Sequence, residues 1–170
     1  INGYVLVGRP DGSIVKENGF GYAGYDRFTD LAPAGDGFVF VGHSQLAGEG
    51  ALRRTYIVKT DANGLQQWER IYGGVETWSA LYIEPAGDGG FVIAGGTDGG
   101  GDGDMFVMKV DAEGQEQWRK RVGTADWDEI NHGLLVRPDG RIVLVGYTHP
   151  RGGEINDLVA ATLGADGEVQ

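Results

Sequence analysis

Three aspartates share one glycine-rich stretch of this chain, Asp98-Gly99-Gly100-Gly101-Asp102-Gly103-Asp104. Carboxylates are hard oxygen donors, and several on one turn suit Ca2+. Asp98, Asp102 and Asp104 are therefore the candidate metal ligands, and loop-bound Ca2+ is the one cofactor these residues suggest. The competing reading is a solvated connection whose last Asp caps the next strand, as Asp157 stands before Leu158. Three histidines, His43, His132 and His149, are further donors, with His43 and His149 at similar places in the repeat; metal or proton work would need partners close by. No Ser–His–Asp arrangement, phosphate-cradling loop or dinucleotide glycine pattern accompanies them. The aromatics Tyr25, Trp78 and Trp127 recur near the start of successive units. They would stack on a sugar or peptide, and packing between units explains them equally well.

The elements that must position these groups come from a repeat. Asp61-Ala62-Asn63-Gly64-Leu65-Gln66-Gln67-Trp68 returns 50 residues later as Asp111-Ala112-Glu113-Gly114-Gln115-Glu116-Gln117-Trp118. Self-similarity at that period marks an array of like supersecondary units. Gly12, Gly64, Gly114 and Gly167 form one ruler, and Gly37, Gly89 and Gly140 a second in step with it. Each closes an Asp-Gly, Asn-Gly or Glu-Gly pair where positive φ is cheap and a hairpin can turn. Between the rulers lie short β-branched and aromatic runs. One unit reads as strands at 79–84, 91–95, 105–110 and 115–122. The preceding unit reads 29–32, 38–41, 56–60 and 65–72, and the following one 130–137, 141–145, 158–162 and a stub at 167–170. Residues 4–7 and 13–20 match only the second half of a unit. Runs such as Phe38-Val39-Phe40-Val41 and Ile142-Val143-Leu144-Val145 are continuously apolar, as in strands covered on both faces.

Composition narrows the function classes. The net charge is −11, which argues against the clustered Lys and Arg on which nucleic-acid binding rests; four basic residues gather in Arg119-Lys120-Arg121 and nearby Lys109, on a strand pair that reads as a solvated face. No nucleic acid is expected as partner. Cysteine is absent, which removes disulfides, thiolate metal sites and a Cys nucleophile. No apolar run approaches the ~18 residues of a membrane span, and no signal-peptide pattern stands in these residues. Glycine reaches 32 of 170 residues, far above the usual share of about 7%, and with no period of three it signals many tight turns.

The Asp-Ala-x-Gly-x-x-x-Trp string resembles the tryptophan docking motif of quinoprotein-type β-propellers. Gly89 to Asp98, then Asp104 to Asp111, is similar to the repeat propellers of secreted and cell-surface bacterial proteins. The turn is also similar to the Asp-box of sialidase-like propellers, without its leading Ser. In such families the motif ties blade to blade and carries no chemistry. The resemblance thus implies structural roles for Asp61, Gly64, Trp68, Asp111, Gly114 and Trp118, with Lys16 in the corresponding place of the first unit. It also implies a secreted, periplasmic or cell-surface location in a bacterium.

The expected fold is all-β: a propeller array of four-stranded antiparallel blades, about three and a half of them, in one partial domain. Its parts are a half blade at 1–21, blades at 22–73 and 74–123, and at 124–170 a blade lacking most of its last strand. A β-trefoil, three four-stranded units closing a barrel, is the alternative. Propellers close with four to eight blades, so the remainder is expected from missing chain or another copy. The expected function is a non-catalytic binding or scaffolding surface for an unknown protein or glycan. The alternatives are a fragment of a propeller enzyme, quinoprotein oxidoreductase or glycosidase-like, and a structural surface protein with loop-bound Ca2+.

Overall fold

A computed structural model describes residues 3–22, 24–48, 50, 52–97, 103–124, 126–149 and 156–170, and the backbone alone at 127, 129, 131 and 132. Asp98 and Asp102 lie outside the described residues. The strands, in chain order, are β1 (Gly3–Gly8), β2 (Ile14–Phe20), β3 (Gly24–Ala34), β4 (Gly37–Leu46), β5 (Arg54–Thr60), β6 (Gln66–Tyr72) and β7 (Trp78–Pro85). They continue with β8 (Phe91–Thr97), β9 (Asp104–Val110), β10 (Glu116–Val122), β11 (Trp127–Val136), β12 (Ile142–His149) and β13 (Asp157–Leu163). Among the described residues there is no helix, hence none long and apolar enough to cross a membrane.

These strands form four antiparallel sheets, each a meander in chain order: β1-β2, β3-β4-β5-β6, β7-β8-β9-β10 and β11-β12-β13. No strand pairs across sheets, so the closed barrel that a trefoil requires is not found among the described residues. The stub at 167–170 adds to the last sheet only one bridge, Leu163 to Val169.

The turns explain the glycine content. At six hairpins the opening residue accepts a hydrogen bond from the N–H of the glycine three residues on, and donates its own N–H to the carbonyl four residues on, at 2.8–3.1 Å. Those glycines are Gly12, Gly64, Gly89, Gly114, Gly140 and Gly167, with φ between 72° and 87°. This is a type I turn closed by a left-handed residue and a bulge, a geometry that Gly adopts without strain. Asp61 and Asp111 reinforce it. Asp61 Oδ1 accepts the N–H of Asn63 and of Leu65 at 2.9 and 2.8 Å, and Asp111 Oδ1 those of Glu113 and Gln115 at 3.0 and 2.7 Å.

Gly37 departs from the expectation. The β3–β4 turn is one residue shorter, with Ala34 paired directly to Gly37, and the positive φ falls on Gly35 at 65°. Gly37 is required for another reason: a Cβ there would stand 1.9 Å from the carbonyl oxygen of Thr60.

The sheets stack in series, and alternate residues of one strand serve two interfaces. In the second sheet Val39, Val41 and Ile57 pack against Ile83, Phe91, Ile93, Phe106 and Met108 of the third. Their neighbours Phe40, Tyr56 and Val58 face Val5 and Phe20 of the first. The third sheet turns Val92, Ala94, Met105 and Val107 toward Ile130, Leu134, Ile142 and Leu144 of the fourth. Both faces of the third sheet are thus removed from water, and those of the second except where Leu31 and Phe38 stand half-exposed, which is why their strands are continuously apolar.

The outer edges are tied by the repeated turns. A Cβ on Gly114 would stand 2.8 Å from the Trp68 ring, and one on Gly167 would stand 2.8 Å from the Trp118 ring. Six residues after the turn glycine, a side chain reaches the next sheet's turn in each case. Asn18 donates to the Gly64 carbonyl at 2.7 Å, Arg70 donates to that of Glu113 at 3.0 Å, and Lys120 pairs with Glu168. At the Gly64 turn the first sheet thus uses Asn18, with Val7 beside it, and not Lys16.

Candidate functional site

Polar side chains converge where β3, β4 and β7 lie side by side. Two bulges create the place, one between Phe28 and Asp30 and one between Ala80 and Tyr82. Opposite them stand Gly42 and Gly95, where a Cβ would approach a backbone oxygen within 1.9 and 2.1 Å. A bulge bends its strand and re-aims the residues beyond it. Thr29 Oγ1, on the first bulge, donates to the Ala80 carbonyl at 3.1 Å, and Asp30 Oδ2 accepts the Ile83 N–H at 3.0 Å. These bonds clamp β3 to β7 and fix the strand ends that follow.

Beyond the bulge, His43 is 4% exposed, with Nδ1 at 3.2 Å from Ser79 Oγ. The Tyr25 ring, 40% exposed, stacks on it at 6.2 Å between centroids. Burial, then the charges of Arg53 and Arg27, push the imidazole down to about 4. A serine beside an imidazole is the geometry of nucleophile activation, and sequence gave no hint of this pair, 36 residues apart. An imidazole that holds its proton only below about pH 4 is a weak base at neutral pH, which fits a buried tether better than a general base.

Two buried carboxylates recur, and sequence reading missed both. Asp26 is 2% and Asp128 1% exposed. Asp26 Oδ2 accepts the N–H of Tyr22 at 3.0 Å; Asp128 Oδ2 accepts the N–H of Thr124 and its hydroxyl, the latter at 3.0 Å. Among the described residues the other oxygen of each is buried without a protein partner, and so are the hydroxyls directly across the ladder, Ser44 and Thr148. Each carboxylate lies over a glycine: a Cβ on Gly21 would meet Asp26 Oδ2 at 2.2 Å, and one on Gly123 would meet Asp128 Oδ2 at 2.8 Å. The readable signal was a Gly with Asp five residues on, at 21 and 26 and again two repeats later at 123 and 128.

The aromatic set does not share one register. Tyr25 pairs with Gln45 and Trp127 with His149, one step beyond the Asp–hydroxyl pairs. Trp78 pairs with Thr97, the place that Asp26 and Asp128 occupy in their own sheets. Its ring packs edge-on against Phe106 at 5.1 Å, and the guanidinium groups of Arg119 and Arg121 cover it at 4.5 and 5.4 Å. Trp78 is thus occupied by its own protein. The histidines are out of step as well, since His43 precedes the hydroxyl position at Ser44 and His149 follows that at Thr148.

Of the candidate Ca2+ ligands, Asp104 is described. It opens β9 half-buried, with one oxygen 3.6 Å from Arg121 Nη1 and the other beside Gly123. Arg121 also pairs with Glu76, Arg119 with Glu116 and Lys109 with Asp88, so this basic run is matched by carboxylates. Among the described residues no group of three or more His, Asp or Glu is arranged to hold a metal ion. No protein-family model matches the chain, and no curated protein matches its sequence.

Proposed function

We propose that the chain is an arc of β-propeller blades serving as a non-catalytic binding or scaffolding surface. The observation that carries the reading is the serial stacking of antiparallel meanders, with both faces of the third sheet, and one face and part of the other of the second, spent on their neighbours. Sheets used in that way leave strand ends and connections as the surface for a partner. Tyr22 and Tyr25 stand at such an end, 38% and 40% exposed, ahead of the clamped bulge. Rings with an apolar face and a hydroxyl suit a glycan or a peptide. The tryptophan-turn contacts support a likeness to the quinoprotein-type propellers of bacterial surface and secreted proteins.

The test is a thermal-shift panel of glycans and peptides, alongside Ca2+ alone and a turnover assay with pyrroloquinoline quinone plus Ca2+. The expected result is a rise in melting temperature with one of the organic ligands, diminished by Tyr25→Ala. Quinone-dependent turnover would replace this reading with that of an enzyme fragment. A shift with Ca2+ alone would favour a structural surface protein.

A further inference from the structure

Part of one apolar face of the second sheet lies open, and the repeat defines what fits on it. Phe38 pairs with Thr60 as Phe91 pairs with Val110, and Leu31 pairs with Phe40 as Ile83 pairs with Ile93. The two triples, Leu31, Phe38, Phe40 and Ile83, Phe91, Ile93, therefore occupy matching positions in consecutive sheets. Phe91 and Ile83 are each 3% exposed, because Ala32, Ala34, Val39 and Val41 of β3 and β4 cover them. Phe38 is 41% and Leu31 50% exposed. In front of them is a cleft of about 440 Å3, lined by Val5, Val7, Leu31, Phe38, Phe40 and Thr60.

The same cleft borders an unused strand edge. Among the described residues β5 and β9 are each paired on both sides, whereas β1, which precedes the same turn, pairs with β2 alone. A free edge offers alternate N–H and C=O groups to an added strand. Where the first sheet does cover the second, the interface is built from Val5 and Phe20 against Tyr56 and Val58, and the open cleft continues it.

We propose that this groove receives a two-stranded β-hairpin carried by the polypeptide that runs into the amino end of β1. Its second strand pairs antiparallel with β1, and its first completes the sheet. Small apolar residues on its face cover Leu31, Phe38 and Phe40 as Ala32, Ala34, Val39 and Val41 cover the next sheet. Chain continuity selects this source, because in both four-stranded sheets the strand at that edge, β4 or β8, runs directly on into the paired strand, β5 or β9.

The probe is the chain's own hairpin, residues 24–53, grafted ahead of Gly3. The graft should raise the melting temperature by about 5 °C or more and slow amide exchange along β1 at least tenfold. Phe38→Asp should leave the ungrafted chain within about 1 °C of its parent and abolish the gain in the grafted one. If that graft does not fold, residues 78–103 placed at the same point give the same readouts. No gain in stability, or equal effects of Phe38→Asp in both proteins, overturns the proposal. So does a concentration-dependent dimer of the ungrafted chain, in sedimentation, that Phe38→Asp disperses, since a second copy would then be the occupant.

Discussion

The six-membered face of the Trp68 indole rests on Gly114, so that a methyl group at position 114 would stand 2.8 Å from ring carbon Cζ3. Gly89 has nearly the same φ, 87° against 74°, yet no atom of the described residues lies within 4 Å of its missing Cβ. The pair separates backbone strain from packing. Gly89→Ala carries only the left-handed penalty, about 1 kcal/mol. Gly114→Ala adds displacement of the indole, roughly 1–3 kcal/mol more. Urea denaturation of both variants checks this; equal losses would mean that the ring yields freely and the indole contact does not hold the sheets together.

Much of the fold was legible because turns and apolar runs are local signals. The expected strand at 91–95 lies within β8 and that at 56–60 within β5, and six of the seven ruler glycines, all but Gly37, have positive φ at hairpins of one kind. What escaped is what packing decides. β3 and β4 extend several residues past the readable strands at 29–32 and 38–41, through Tyr25-Asp26-Arg27 and His43-Ser44-Gln45. Those residues are polar, so no hydrophobic period marks them; a bulge and the next sheet hold them in place. The contact of His43 with Ser79 and the covering of Trp78 by Arg119 likewise arise between sheets, where sequence separation carries no hint.

His43 should make stability depend on pH in a defined window. Its folded value of about 4 lies below the unfolded value of about 6.5. The unfolded chain therefore binds the extra proton between these values, and stability falls as pH falls. The contribution is complete above pH ~6.5, is lost on descending toward about 4, and changes no further below that. One proton gives a slope of at most about 1.4 kcal/mol per pH unit. Comparison with His43→Gln isolates this from the carboxylates, of which Asp139, held down to about 2 by Arg141, titrates below the window. Parallel denaturation curves for the two proteins from pH 4.5 to 7.5 would refute the assignment.

The Asp26–Ser44 and Asp128–Thr148 pairs invite a test of their unpartnered atoms. A buried hydroxyl with no partner contributes desolvation cost and no hydrogen bond. Thr148→Val, which keeps the shape, should be neutral or stabilising by up to about 1 kcal/mol. Asp26→Leu also removes the acceptor of the Tyr22 N–H and should cost about 1–3 kcal/mol, whereas Asp26→Asn keeps an acceptor there and removes a buried charge. Calorimetry on the three variants decides it. A loss above about 1 kcal/mol for Thr148→Val would mean that the hydroxyl is satisfied, by bound water for example.

Trp78 and Arg119 should be coupled more strongly than a surface ion pair. The guanidinium carbon sits 4.5 Å from the ring centroid, while Glu116 holds the other side of the same group. A planar cation stacked on an indole is worth about 0.5–1 kcal/mol where it is partly shielded from water. A double-mutant cycle of Arg119→Ala with Trp78→Leu should return a coupling of that size, and Arg119→Lys should recover less than half of it, because an ammonium cannot lie flat on the ring. Salt separates the two contacts: the Glu116 interaction fades with ionic strength, whereas the stacked one changes little. A coupling near zero would mean that Arg119 does not hold the Trp78 face against a competing ligand, leaving Arg121 as its remaining cover.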